Sequence, residues 1–106
     1  MHRDHQAFIQ GIHSKKRLRI TFFSKKDEMP VIRLCAPMDF GRSNRTNNLM
    51  NRYHFWDYEG DTKSHHLSLL PENISKMELT EESFDPADFV KWEPHWFILR
   101  DWGRFS

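Results

Sequence analysis

Eight cations and three aromatic rings crowd the first half of this chain. Lys15, Lys16, Arg17, Arg19, Arg33, Arg42, Arg45 and Arg52 lead into Tyr53, Phe55 and Trp56. Cations set along a groove, with aromatic faces beside them, hold single-stranded nucleic acid: charge meets phosphate and rings meet bases. The competing reading is that Lys and Arg at strand and helix ends keep the protein soluble while the aromatics form core. Tyr53 and Phe55 fall on one face of a strand and His54 and Trp56 on the other, so the rings cannot all meet one ligand. Arg33 is the sharpest single signal. A guanidinium inside an apolar run needs an anion, either a ligand phosphate or an internal carboxylate such as Asp39, Asp57 or Glu72.

Other chemistries find less support. Seven His invite a metal, but His65 and His66 are adjacent and point to opposite strand faces, and no Cys/His spacing completes a site. His2 and His5 read as surface residues. Cys35 sits mid-strand among apolar neighbours and reads as a small buried hydrophobe rather than a nucleophile. There is no glycine-rich phosphate loop and no Gly-x-Ser-x-Gly. The expectation is therefore a non-enzyme with no catalytic residue, no metal and no cofactor.

The elements that would position the basic set are short. Phe8, Ile9 and Ile12 recur at helical spacing and predict a helix over 5–16, with Asp4 as N-cap and Lys15 and Lys16 at its negative end. Gly11 weakens that helix by about 1 kcal/mol relative to Ala. Leu18 to Phe23 alternates as a first strand, and the charged run 24–30 reads as a hairpin loop. A second strand runs from about Val31 to Phe40, where Pro37 implies an edge, a bulge or a break. The polar stretch 41–52 is a long loop. Further strands follow at Tyr53–Tyr58, His65–Leu70 and Ile74–Leu79, with a turn at Glu59-Gly60-Asp61 and a helical turn at Pro71-Glu72-Asn73. Asp85 and Pro86 start a short helix over roughly 86–92. Trp92, Trp96 and Trp102 then punctuate an aromatic tail that either folds back on the sheet or docks a partner.

The 106 residues suit one domain with a modest core. One helix and five short strands joined mostly by tight turns predict a mainly β, α+β protein: a small SH3-like or Sm-like five-stranded antiparallel barrel with an N-terminal helix and a C-terminal helix and tail. The net charge of +1 conceals an asymmetry. Residues 1–56 hold 11 Lys/Arg against 4 Asp/Glu, and residues 57–106 hold 5 against 11. Such halves either bind nucleic acid or pair with one another. A single Cys excludes an internal disulfide, and no run reaches the roughly 18 apolar residues of a membrane span. No apolar signal-peptide core follows Met1, so the expected location is cytoplasmic.

The order of elements resembles the WYL domain of bacterial regulators. The run Phe8-Ile9-Gln10-Gly11-Ile12 with Leu18 to Phe22 is similar to that family's opening helix and strand. The run from Val31 through Pro37 to Phe40 is similar to its Arg-x-x-x-Pro-type second strand. Tyr53-His54-Phe55-Trp56-Asp57-Tyr58 stands where the Trp-Tyr-Leu triplet belongs, and His66 to Met77 resembles the strand-turn-strand that follows, with Phe84 as the closing aromatic. The resemblance covers about residues 6–86 and leaves 87–106 as an aromatic extension. It departs from the family at the triplet itself. Where the family places arginines that contribute to ligand binding, this chain has His65-His66 and Glu72-Asn73.

The resemblance implies an Sm-like barrel that senses nucleic acid or a nucleotide-like ligand in transcription regulation. The combined expectation is a regulatory module binding single-stranded nucleic acid or a nucleotide through Lys16, Arg17, Arg19, Arg33, Arg52 and His66, with Tyr53, Phe55 or Trp56 stacking. The alternative is a protein-interaction or homodimerisation module that uses Trp92, Trp96 and Trp102. No membrane partner is expected.

Overall fold

Phe8 and Ile12, four residues apart on one stripe, are fully buried and anchor helix α1, His5–Ser14, to a sheet. The structure, a computed structural model, describes residues 1–42, 50–59 and 65–106. The expected loop therefore lies outside the described residues over 43–49, and the expected turn lies outside them at 60–61. Asp4 makes no side-chain cap to α1. Its carboxylate instead accepts the Met77 backbone N–H at 3.0 Å, a donor on an edge strand that would otherwise lack a partner. Gly11 explains itself by packing. A Cβ there would lie 2.9 Å from Pro37 Cγ and 3.1 Å from the Lys16 carbonyl oxygen. Gly11→Ala should lower stability by about 1–3 kcal/mol despite the better helix propensity, as thermal denaturation would show. The helix stops at Lys15, whose φ of 56° is left-handed, and the Lys15 N–H closes back on the Gly11 carbonyl. Lys15→Gly should raise stability by about 1 kcal/mol by relieving that conformation.

Five antiparallel strands follow: β1 Lys16–Ser24, β2 Met29–Arg42, β3 Asn51–Asp57, β4 His66–Leu69 and β5 Ile74–Ser83. Their order across the sheet is β4-β3-β2-β1-β5. The sheet rolls so that β5 returns to β1, while β4 and β5 form its two margins, joined by the 3-10 turn Pro71–Asn73. The expected five-stranded α+β fold is the observed one. Leu18, Ile20 and Phe22 alternate inward on β1 and meet Cys35, Tyr53, Phe55, Leu69, Ile74 and Met77 in one core with α1. Each such buried side chain stabilises by roughly 1.5–3 kcal/mol. Pro37 marks a bulge: the β2–β3 register shifts between Pro37 and Asp39. Pairing of β2 with β1 ends at Cys35, so the missing Pro37 N–H leaves no ladder bond to β1 unmade.

After β5 the chain runs with little regular structure. The helix expected over 86–92 is a single 3-10 turn, Pro86–Asp88, with the Asp85 carboxylate accepting the Ala87 N–H at 3.0 Å. It stops there because Phe89 and Val90 turn into the core, 2% and 4% exposed. The tail folds back on the sheet. Phe89 stacks on Trp56, and Trp102 is buried with its indole N–H on the Ile12 carbonyl at 2.8 Å.

Candidate functional site

The two margins of the sheet differ. At β5 the N-terminal residues satisfy the first part of the edge: His2 Nε2 bonds to the Ile74 carbonyl, Arg3 to the Ser75 carbonyl, and Asp4 to the Met77 N–H. Beside β4 runs a groove of about 350 Å³. Four consecutive residues, Leu67 to Leu70, line it. Since successive side chains leave opposite faces of a strand, the groove follows the edge of β4 rather than one face. Phe22 to Lys26, from the end of β1 and its turn, make the facing wall, and Arg52 and Asn73 complete it. Among the described residues three cations line the groove, Lys25, Lys26 and Arg52, and no carboxylate does. Among the described residues the buried Arg52 Nε–H meets no acceptor, and the same is true of the Arg17 Nε–H outside the groove. Phe23, 46% exposed, adds an open aromatic ring.

The basic residues singled out from sequence do not converge. Lys16 donates to the Glu81 carbonyl and to Ser83 Oγ. Arg17 lies 3.7 Å from the Glu82 carboxylate and 4.0 Å over the Tyr58 ring. That ring's phenol is pushed up to about 12, first by burial and then by the acids Asp88 and Asp85, against the opposing pull of Arg17. Arg19 is exposed and stands opposite Glu78 of β5. Arg33 Nε is 3.7 Å from Asp57 Oδ2, so one of its three candidate internal carboxylates meets it. The Arg17 and Arg33 pairs join the basic first half of the chain to the acidic second half. Arg52 alone of these lines the groove.

The aromatic expectations need correction. Tyr53 and Phe55 are 0% exposed and offer no face to a ligand. The Tyr53 hydroxyl accepts the His2 N–H at 3.0 Å and bonds His5 Nδ1 at 2.8 Å. Their burial follows from α1, whose Phe8 packs edge-on against both rings. His2 and His5 are thus part of a polar cap on the core, not surface residues. Trp56 is half-buried between Phe89 and His65, and the exposed His66 lies 5.6 Å from the His54 ring. Trp102, 2% exposed, is core and not a partner contact, and half-buried Trp96 donates to the Phe105 carbonyl. Only Trp92, 49% exposed, keeps an open face. The groove's lysines escaped the sequence reading because a charged turn between strands carries no mark of what it faces.

His54 lies behind Arg52 on β3. Its ring bonds Ser68 Oγ at 2.8 Å and the Gly41 carbonyl at 3.0 Å. Burial holds its pKa below the ordinary 6.5, and this outweighs the raising effects of Gly41 and Asp39. A depressed His pKa in the folded state means that the unfolded chain takes up the proton first. Stability is then full above about 6.5 and falls as pH drops toward the folded value. Urea denaturation between pH 7 and 5 should show this loss, with a shallower slope in His54→Gln; an equal slope would place the proton uptake elsewhere. Burial also pushes the Cys35 thiol well up, assisted by Asp57, which leaves it unreactive.

The architecture defines a small, mostly β, barrel-like α+β domain. Among solved structures it is similar to proteasome accessory factor B/C (PafBC) of Arthrobacter aurescens, with a TM-score of 0.61 at 12% identity, over 83% of this chain and 13% of that one. At that identity the likeness shows the fold, and the chain spans a small part of PafBC's length. No protein-family model matches the sequence, and no curated protein sequence does. Among the described residues no helix is long and apolar enough to cross a membrane.

Proposed function

We propose that this domain is a non-catalytic regulatory module that binds single-stranded nucleic acid or a nucleotide in the groove beside β4. The observation that carries the reading is a groove lined, among the described residues, by three cations and no carboxylate. A phosphate in the groove pairs with these cations, and the exposed Phe23 ring offers a base a stacking partner. The WYL resemblance in the order of elements supports the regulatory setting, and the fold likeness to the proteasome accessory factor PafBC is compatible with it. The WYL resemblance lacks its arginines around the fourth strand, at His65-His66 and Glu72-Asn73. Lys25 and Lys26 from the β1–β2 turn and Arg52 from β3 bring positive charge to the same neighbourhood. NMR titration with a short oligodeoxynucleotide tests the site. Shift changes should centre on Lys25, Lys26, Arg52 and Ser68. Changes centred instead on Arg17 and Arg19 would move the site to the far end of β1.

A second reading is a protein contact through the tail. It draws on Leu99, Phe97 and Trp92, which are 87%, 57% and 49% exposed. Sedimentation of the wild type and of Leu99→Asp tests it: association that survives high salt and is lost in the variant supports a tail interface.

A further inference from the structure

Strand edges invite pairing, and proteins usually cover or shorten them. Here the first part of the β5 edge, Ile74 to Met77, is closed by His2, Arg3 and Asp4, whereas β4 is the other margin of the sheet and the groove runs along it. The Asp57 N–H bonds the His65 carbonyl at 2.7 Å, which sets the ladder's phase. By the two-residue period, Leu67 and Leu69 turn their backbone groups to β3, and the Ser68 N–H and C=O point toward the groove. The groove also offers Phe23, Leu67 and Leu70 as apolar surface, with Lys25, Lys26 and Arg52 as its charges among the described residues.

We propose that the β4 edge accepts an extended acidic segment of a protein partner as an added strand. Main-chain bonds to β4 supply affinity, alternate apolar side chains fill the groove, and carboxylates meet the three cations. The guest strand and the anionic ligand then need the same cations, so each excludes the other. That exclusion rests on the anion-binding reading above and gives the module a way to turn ligand binding into partner release. Strand addition itself rests on the edge and the charge of the groove.

The test is anisotropy with a fluorescein-labelled peptide of alternating Glu and Val, beside the same peptide N-methylated at alternate amides. The expected result is binding that weakens about tenfold on methylation, the loss of two main-chain bonds. It should weaken again in Lys25→Ala/Lys26→Ala, and unlabelled oligodeoxynucleotide should release the peptide. Equal binding of the methylated peptide overturns strand addition. So does failure of the peptide to bind a protein that still binds the oligonucleotide, an outcome that leaves the proposed function standing. Methylation-sensitive peptide binding without any oligonucleotide binding supports the docking edge and counts against the proposed function.

Discussion

Asp39→Ala is expected to destabilise the domain by about 3–5 kcal/mol, the usual cost of stripping one partner from a buried ion pair. The Asp39 carboxylate accepts the backbone N–H groups of Phe97 and Ile98 at 2.9 and 3.0 Å and the Arg100 guanidinium at 3.2 Å. Arg100 has 0% side-chain exposure. It lies between the Trp96 and Trp102 rings, 4.0 and 4.4 Å from their centroids, and also donates to the Met38 carbonyl. Burial draws its pKa down to about 10, against the raising effect of Asp39, so it still carries charge at neutral pH. Without Asp39 that charge is buried with no counter-ion and two tail N–H groups lose their acceptor. Urea denaturation measures the loss. Asp39→Ala/Arg100→Met should recover much of it, because removing both charges leaves none unpaired. A loss below about 1 kcal/mol in Asp39→Ala would mean that the tail does not fasten at this carboxylate.

Trp102→Ala should cost a comparable 3–5 kcal/mol, about the usual penalty for truncating a buried Trp. The ring packs edge-on against Phe84, Phe89 and Trp96, which joins the tail to the end of β5 and to the turn after it. Trp102→Phe separates packing from hydrogen bonding. It keeps most of the apolar contact but leaves the Ile12 carbonyl without its donor, at about 1–3 kcal/mol. If Trp102→Ala unfolds at the wild-type urea midpoint, the tail is not part of the cooperative unit.

These two sites show where sequence reading succeeds and where it stops. Strand alternation was legible because one face is buried: Leu18, Ile20 and Phe22 sit in the core as their spacing requires. Pro37 announced a bulge because it lacks a donor, and Arg33 announced an anion because a charge among apolar neighbours needs one. What could not be read were meetings set by tertiary geometry. Asp39 and Phe97 are 58 positions apart, and nothing local marks either for the other. Asp4 looked like a helix cap because its sequence neighbours favour one, yet an edge strand claims its carboxylate. Tyr53 and Phe55 looked available for stacking because a strand has two faces, and α1 settles which face is covered. Trp92, Trp96 and Trp102 are equivalent in composition and differ only in what the folded tail does with them. The groove was hidden for the same reason. Lys25 and Lys26 belong to a turn, Arg52 to the start of another strand, and only the roll of the sheet brings them together.

We propose that the groove beside β4 binds an anionic ligand. The direct measurement is anisotropy titration of labelled single-stranded DNA and RNA at about 50 and 200 mM salt, across which phosphate contacts lose orders of magnitude in affinity. It compares the wild type with Lys25→Ala/Lys26→Ala, Arg52→Ala and Arg19→Ala. Salt-sensitive binding that falls about tenfold or more in the first two variants, with a shallower salt slope and little change in Arg19→Ala, is the expected result. Absence of binding at the lower salt, or equal loss in all three variants, would contradict it.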